Sequence, residues 1–298
     1  MIPYVREIEF EWGRADQVSP LIRRVIANNP GPFTYTGTGT YIVGHGEVAV
    51  IDPGPDLPEH LQAIMQAVEG RRVTHILVTH HHADHSPLAA PLKALTGAPI
   101  HGCAAARVET DESGVVTEAG HDLDFRPDVD LCGGGVVRGP GWTLEAIPTP
   151  GHTSNHLCYG LAEENAVFTG DHIMGWSTTV IVPPDGDMGD YMLSLARIRE
   201  RNFTTLWPTH GAPVRETGPF IDAYIAHRHE RAAQIERALA AGPRRIADLT
   251  PELYADVDPR LHPAAALSML ATMIDLVRRG QVESSDGEPG EGSVYRLA

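Results

Sequence analysis

One six-residue run, His80-His81-His82-Ala83-Asp84-His85, limits what this chain can fold into more than any other feature. It follows a short apolar stretch, Val73 to Val78, that reads as a buried strand. It precedes Ser86 and Pro87, which predict a helix capped by Ser86 with proline in its first turn. The histidines therefore fall in a strand-to-helix loop, the place where open α/β architectures build their sites. Three imidazoles and a carboxylate within so short a span converge if the loop curls tightly. Such donors suit zinc, iron or manganese.

Composition narrows the remaining choices. The chain has 298 residues, enough for a large domain and a small one with a core that needs no disulfides. Its 39 acidic against 23 basic residues give a net charge of −16, which opposes non-specific binding to nucleic acid or anionic membrane. No apolar run approaches the roughly 18 residues of a membrane span, and the N-terminus lacks a basic-then-apolar leader, so no membrane partner is expected. Cys103, Cys132 and Cys158 lie far apart without a CxxC pair. That spacing predicts neither a disulfide framework nor a thiolate zinc site, and points to a reducing cytoplasm. The 16 histidines are the anomaly, and their placement decides the reading.

Along the chain, residues 8 to 52 alternate as β-structure, with a hairpin turning at Gly44-His45-Gly46. A helix follows Pro58, with Leu61, Ile64, Met65 and Val68 as its buried stripe. Residues 100 to 166 are β-rich, with strands at Trp142 to Ile147 and Leu157 to Leu161. Strands also end at Asp171 and Thr209, around a helix from Met188 to Arg201. After Thr217 come three helices, Phe220 to Ala241, Ile246 to Tyr254 and Pro263 to Arg279. A two-stranded wing of Val282-Glu283 and Val294 to Leu297 follows, which is the element order of a winged-helix module. The expected division is 1–216 and 217–298.

Three later motifs sharpen the histidine run: Pro150-Gly151-His152-Thr153, Thr169-Gly170-Asp171 and Thr209-His210-Gly211. Each places a ligand-type residue just past a strand end, beside a glycine that lets the backbone approach closely. All four segments can meet at one edge of a sheet sandwich.

In this order the segments resemble the metallo-β-lactamase superfamily. Further matches, among them Asp190-Tyr191-Met192-Leu193-Ser194-Leu195, His227-Arg228-His229-Glu230-Arg231 and Leu261-His262-Pro263, resemble its β-lactamase-like group, which includes a mitochondrial single-strand endoribonuclease. The resemblance implies an α/β fold, an αββα sandwich with a small C-terminal winged-helix-like domain. It implies two divalent metal ions, zinc first with iron or manganese as alternatives. His80, His82 and His152 would hold one ion and Asp84, His85 and His210 the other, with Asp171 bridging, as in glyoxalase II-like sites. Asp52 resembles a position that supports a ligand from behind, and His156 is a candidate for support or substrate contact. His81 is read as packing or support. His45, His60, His75, His101, His121 and His172 show no partner pattern. Asn155 and Thr209 depart from the family's usual residues.

The implied chemistry is hydrolysis by a metal-bridging hydroxide, with Asp84 orienting it and taking its proton. A small ester, thioester, amide or lactone is the leading substrate, and single-stranded RNA the alternative. A winged-helix DNA-binding regulator is the reading from another class. Against it, residues 217–298 carry 9 arginines and 12 acidic residues, and the wing holds Glu283, Asp286, Glu288 and Glu291. Arg228, Arg231, Arg237, Arg244 and Arg245 are the candidates for a local basic strip. A cap over the cleft or a homo-oligomer contact suits the module better than DNA.

Overall fold

The computed structural model describes residues 1–104 and 120–298. The first sheet runs β1 (Ala15–Gln17), β2 (Ile22–Ile26), β3 (Gly39–Val43), β4 (Glu47–Ile51), β5 (Arg72–Leu77), β6 (Ile100–Gly102) and β7 (Val129–Asp130), hydrogen-bonded in that order. Between its strands lie α1 (Pro58–Ala67) and α2 (Ala89–Thr96). The second sheet holds β8 (Gly135–Gly139), β9 (Trp142–Pro148), β10 (Leu157–Leu161), β11 (Ala166–Gly170) and β12 (Thr205–Pro208), with β12 at one edge and β8 at the other. Helices α3 (Met188–Glu200) and α4 (Thr217–Ala240) follow β11 and β12. The chain ends with β13 (Arg244–Arg245), α5 (Ile246–Leu253), α6 (His262–Arg278), β14 (Val282–Ser284) and β15 (Val294–Leu297).

Two-residue periodicity builds the layers. On β3 and β4, Tyr41, Val43, Ala49 and Ile51 face the second sheet. Their neighbours Ile42, Val48 and Val50 face α1 and α2. On the other side Tyr159, Phe168 and Trp207 fill the space between sheets, while Cys158, Val167 and Leu206 pack on α3 and α4. Strands buried on both faces read as near-continuous apolar runs, as these do. Two phenols lock the layers together: Tyr41 Oη donates to the Pro208 carbonyl at 2.6 Å and Tyr159 Oη to the Val78 carbonyl at 2.8 Å. Strands β4, β5, β9, β11 and β12 all deliver their carboxyl ends to one edge of this αββα sandwich.

The C-terminal part is built around α6, whose side chains are buried almost all round. Leu267, Met269, Leu270 and Met273 pack with Ile235, Leu239, Ile246 and Tyr295. Helix α4 serves two cores, with Phe220, Ile221 and Tyr224 against the second sheet and Ile235 and Leu239 in this cluster. The wing forms as expected, with Val282 opposite Leu297. The arginines do not form a basic strip. Arg237 pairs with Glu230, Arg244 with Glu252, and Arg245 donates to the Gly292 carbonyl.

Three expectations change. Cys103 and Cys132 form a disulfide, because parallel pairing of β6 with β7 brings together residues 29 apart in sequence. The thiols therefore give no argument for a reducing compartment; Cys158 is free and buried. Helix α2 begins at Ala89 rather than Pro87, because the Ser86 hydroxyl is taken by Asp122 Oδ2 at 2.7 Å. On α1 the buried stripe is His60, Ala63, Ile64, Ala67 and Val68, with Leu61 and Met65 at its margin. Part of the β-rich stretch, 105–119, lies outside the described residues. No helix among the described residues is long and apolar enough to cross a membrane.

Tyr224 joins α4 to the loop after β11, accepting from the Met174 amide and sharing its one proton between the carbonyls of Met174 and Ser177. Removing its hydroxyl leaves buried backbone groups without a partner. Tyr224→Phe should lower the unfolding free energy by about 1–3 kcal/mol, read from the denaturant midpoint at unchanged m-value.

Candidate metal centre

All seven side chains predicted as ligands reach the same edge of the sandwich, and all are buried. His80, His82 and His152 form one group that could hold a metal ion, and Asp84, His85 and His210 form a second. Asp171 lies between them: its Oδ2 is 3.5 Å from His85 Nε2, 3.4 Å from His210 Nε2 and 3.9 Å from His152 Nε2.

The tautomers follow from the partners behind each ring. His152 Nδ1 faces the Val180 carbonyl at 2.8 Å and His210 Nδ1 the Gly37 carbonyl at 3.3 Å. Carbonyls only accept, so each Nδ1 carries a proton and each Nε2 is the nitrogen turned to the centre. His85 Nδ1 faces the Asp52 carboxylate at 3.0 Å with the same result. The Thr79 hydroxyl donates to Asp52 Oδ2 at 2.8 Å, so it accepts from His80 Nδ1 at 3.0 Å and frees His80 Nε2. Rings held from behind in this way are the usual setting of metal-ligating histidines.

The ring nitrogens turned to the centre crowd one another. His82 Nδ1 is 2.9 Å from His80 Nε2 and 3.2 Å from His152 Nε2, and one proton can bridge only one of these contacts. Burial first, then the surrounding imidazoles, pushes the pKa values of His80 and His82 well below the ordinary range, so both rings stay neutral. In the other half, His85 Nε2 and Asp171 Oδ1 are buried without a hydrogen bond among the described residues. Burial opposes charge on His210, but Asp171 and Asp84 outweigh it and push its pKa up to about 10. Burial likewise opposes charge on His85, and Asp84, Asp171 and Asp52 together raise it well above the usual value. Neutral imidazoles on one side, and on the other carboxylates that draw protons onto His85 and His210, make a donor set that a divalent cation fits in place of those protons.

Glycine permits the close packing at two of these ligands. Gly151 has φ +136°, and a Cβ there would sit 2.3 Å from the Tyr191 backbone. Gly170 has φ +51°, and its Cβ would meet His156 Nε2 at 2.6 Å.

Asp52 lies behind His85, accepting from the Thr79 amide and hydroxyl, His85 Nδ1 and Thr209 Oγ1. His156 spends both nitrogens inside the protein. Its Nε2 accepts from the Asp171 amide at 3.3 Å and its Nδ1 faces Thr149 Oγ1 at 2.9 Å, leaving neither for a substrate. Thr79 and the Gly37 and Val180 carbonyls went unread in sequence, and Thr209 was read only as a departure from the family's usual residue. Thr79 adjoins a ligand motif and could have been noticed; the carbonyls leave no sequence signal.

Residues 35–210 match the metallo-beta-lactamase superfamily, and 246–291 match the beta-lactamase associated winged helix domain. The chain belongs to the metallo-beta-lactamase superfamily. A beta-lactamase-like protein 2 homolog of Caenorhabditis elegans is 32% identical over 278 residues, 90% of this chain and 88% of that protein. An atrochrysone carboxyl ACP thioesterase of Claviceps purpurea (strain 20.1) is 30% identical over 250 residues, 81% of this chain and 74% of that protein. The crystal structure of a beta-lactamase domain protein from Burkholderia ambifaria superposes with a TM-score of 0.78 at 21% identity, covering 96% of this chain and 94% of that one. In this superfamily member the winged-helix domain thus sits in the same chain as the histidine-rich edge.

Cation entry must displace the protons that the carboxylates draw onto His85 and His210. Zinc affinity should therefore rise with pH through neutrality, by about tenfold per pH unit for each proton displaced. Calorimetric titrations in buffers of different ionisation enthalpy should show proton release, and a buffer-independent enthalpy would contradict this account.

Proposed function

We propose that this chain is a metal-dependent hydrolase of small acyl substrates, thioesters and esters first, with amides and lactones in the same class. Its cofactor is two divalent ions, zinc by preference and iron or manganese as alternatives. His80, His82 and His152 hold one, Asp84, His85 and His210 the other, and Asp171 reaches both. Bound ions would supply an activated water at neutral pH and positive charge for a developing oxyanion. Burial works against charge on Asp84, but His85 and His210 outweigh it and keep its carboxyl below the ordinary value, hence ionised. Thr38 Oγ1 fixes Asp84 Oδ2 at 3.0 Å, so this carboxylate orients the attacking water and accepts its proton.

The cleft above the centre supports a small apolar acyl group. His82, Asp84, Asp171 and His210 line its floor, and Phe33, Met174 and Trp176 contribute apolar wall. Helix α6 closes it with Ala264, Ser268 and Thr272. Ligand-type side chains and an apolar wall of Phe33, Met174 and Trp176 lining one cleft are the observation that carries this reading. The thioesterase named among the relatives agrees with it.

The cleft is a poor track for RNA. Arg228 is tied to the Thr179 carbonyl and lies over Tyr191, and Arg231 is tied to the Leu253 carbonyl and lies over Tyr254. A single-strand groove needs free cations along the backbone path. The DNA-regulator reading is weaker still, because α6 is packed into the protein, Arg278 pairs with Asp187 and Arg279 with Asp275. Residues 1–216 then form the catalytic part and 217–298 the cap, with α4 shared.

The deciding experiment loads chelator-stripped protein with zinc, iron or manganese and screens thioesters, esters, lactones, β-lactams and a single-stranded RNA in parallel. Thioester or ester turnover that requires metal is expected. Equal turnover by folded, metal-free protein would end the proposal, and cleavage of RNA alone would replace the substrate class. On the substrate found, Asp84→Asn should lose at least about 100-fold in kcat while the first ion stays bound, with metal content measured on the same samples.

A further inference from the structure

His81, the middle histidine of the run, turns to different partners. Asp122 donates its amide to the His81 carbonyl at 2.7 Å and Ala83 its amide to the Gly120 carbonyl at 2.9 Å. This backbone pairing lays the His121 ring on His81, with centroids 4.7 Å apart and planes 15° apart. Asp185 arrives from the loop before α3. One ligand atom from each of His81, His121 and Asp185 lies within 4.8 Å of the other two. None of the three belongs to the seven residues of the main centre.

The hydrogen bonds leave this cluster short of donors. Asn155 Nδ2 donates to the Cys103 carbonyl at 2.9 Å, which fixes the amide so that Oδ1 faces His81 Nδ1 at 2.9 Å. An amide oxygen only accepts, so His81 Nδ1 carries the proton and Nε2 keeps its lone pair. That Nε2 is buried with no hydrogen-bond partner among the described residues. Asp185 uses Oδ1 to accept from the Ser154 amide and hydroxyl, while Oδ2 is buried without a partner among the described residues. Two buried acceptors left bare cost about 1–3 kcal/mol each in the absence of something positive. A ring oriented from behind by an amide, beside an unused carboxylate oxygen, repeats the pattern of the main centre.

We propose that His81, His121 and Asp185 form a third divalent-cation site, separate from the two-ion centre. Two imidazoles and one carboxylate suit a zinc-like ion, and three protein ligands leave a fourth position for water. His121 is exposed, so the ion enters from solvent without passing through the cleft.

Equilibrium dialysis of the full, chelator-stripped chain against zinc, with metal analysis, tests this, and cobalt titration gives an independent ligand-field spectrum. Wild-type protein should take up one cation more than His121→Ala or Asp185→Asn. For that cation each variant should lose at least the roughly 10–100-fold in affinity that loss of an outer partner costs. Thermal unfolding of the metal-free variants checks that both fold; His121 is exposed and Asp185→Asn preserves shape. His82→Ala, run alongside, should lose cation from the main centre and keep the His121-dependent equivalent, so failure of the main-centre reading is seen separately. Equal uptake and equal affinity in wild type, His121→Ala and Asp185→Asn would overturn the proposal. That outcome would mean His121 satisfies the two acceptors with its own N–H.

Discussion

The Asp52 carboxylate is the knot on which the centre depends. It sits at φ +49°, just past the end of β4, and turns back into the gap between the sheets. Its Oδ1 takes the Thr79 amide, which pins the chain as it leaves β5. Its Oδ2 takes the Thr79 hydroxyl, His85 Nδ1 and Thr209 Oγ1, the last from the second sheet. One buried anion thus fixes the edges of both sheets and sets the tautomers of His80 and His85. Each bond is charge-assisted, and a buried carboxylate stripped of such donors is costly. The precision of the centre therefore rests on a residue that touches neither cation in the proposed arrangement.

The same logic recurs at larger scale. His152 and His210 are aimed by carbonyls of Val180 and Gly37, which lie in irregular segments. The segment holding Val180 is held by Ser268 of α6, whose hydroxyl accepts from the Ile181 amide at 3.1 Å. Arg228 of α4 grips the neighbouring Thr179 carbonyl. The C-terminal helices thereby help to orient a histidine of the centre, besides closing the cleft.

Much of this was legible in the sequence because its signals are local. The histidine run, the glycine-flanked His152, Asp171 and His210, and the alternation in β3 and β4 each report on a few adjacent residues. Most helix and strand limits fell within a residue or two, while α4 begins at Thr217, three residues before the expected Phe220. What stayed hidden is long-range or made of backbone. The Cys103–Cys132 link needs the β6–β7 register, and a spacing of 29 residues without a motif carries no sign of it. Ser86 looked like a cap because nothing local shows Asp122 claiming its hydroxyl. Asn155 and Thr209 registered only as departures from a pattern. In the fold they orient His81 and bind Asp52, respectively.

Helix α4 runs from the second sheet to the C-terminal core without a break, contributing side chains to both. A continuous helix of 24 residues acts as a girder rather than a hinge. Tilting one end of it would pull Tyr224 from its carbonyls at the other. Access to the cleft is left to side chains and loops at its rim, such as Trp176, which stacks on Tyr35 at 4.8 Å. The two parts are consequently one mechanical body. Grafting this cap onto another catalytic domain would have to carry the whole girder, together with the face of the sheet on which it lies.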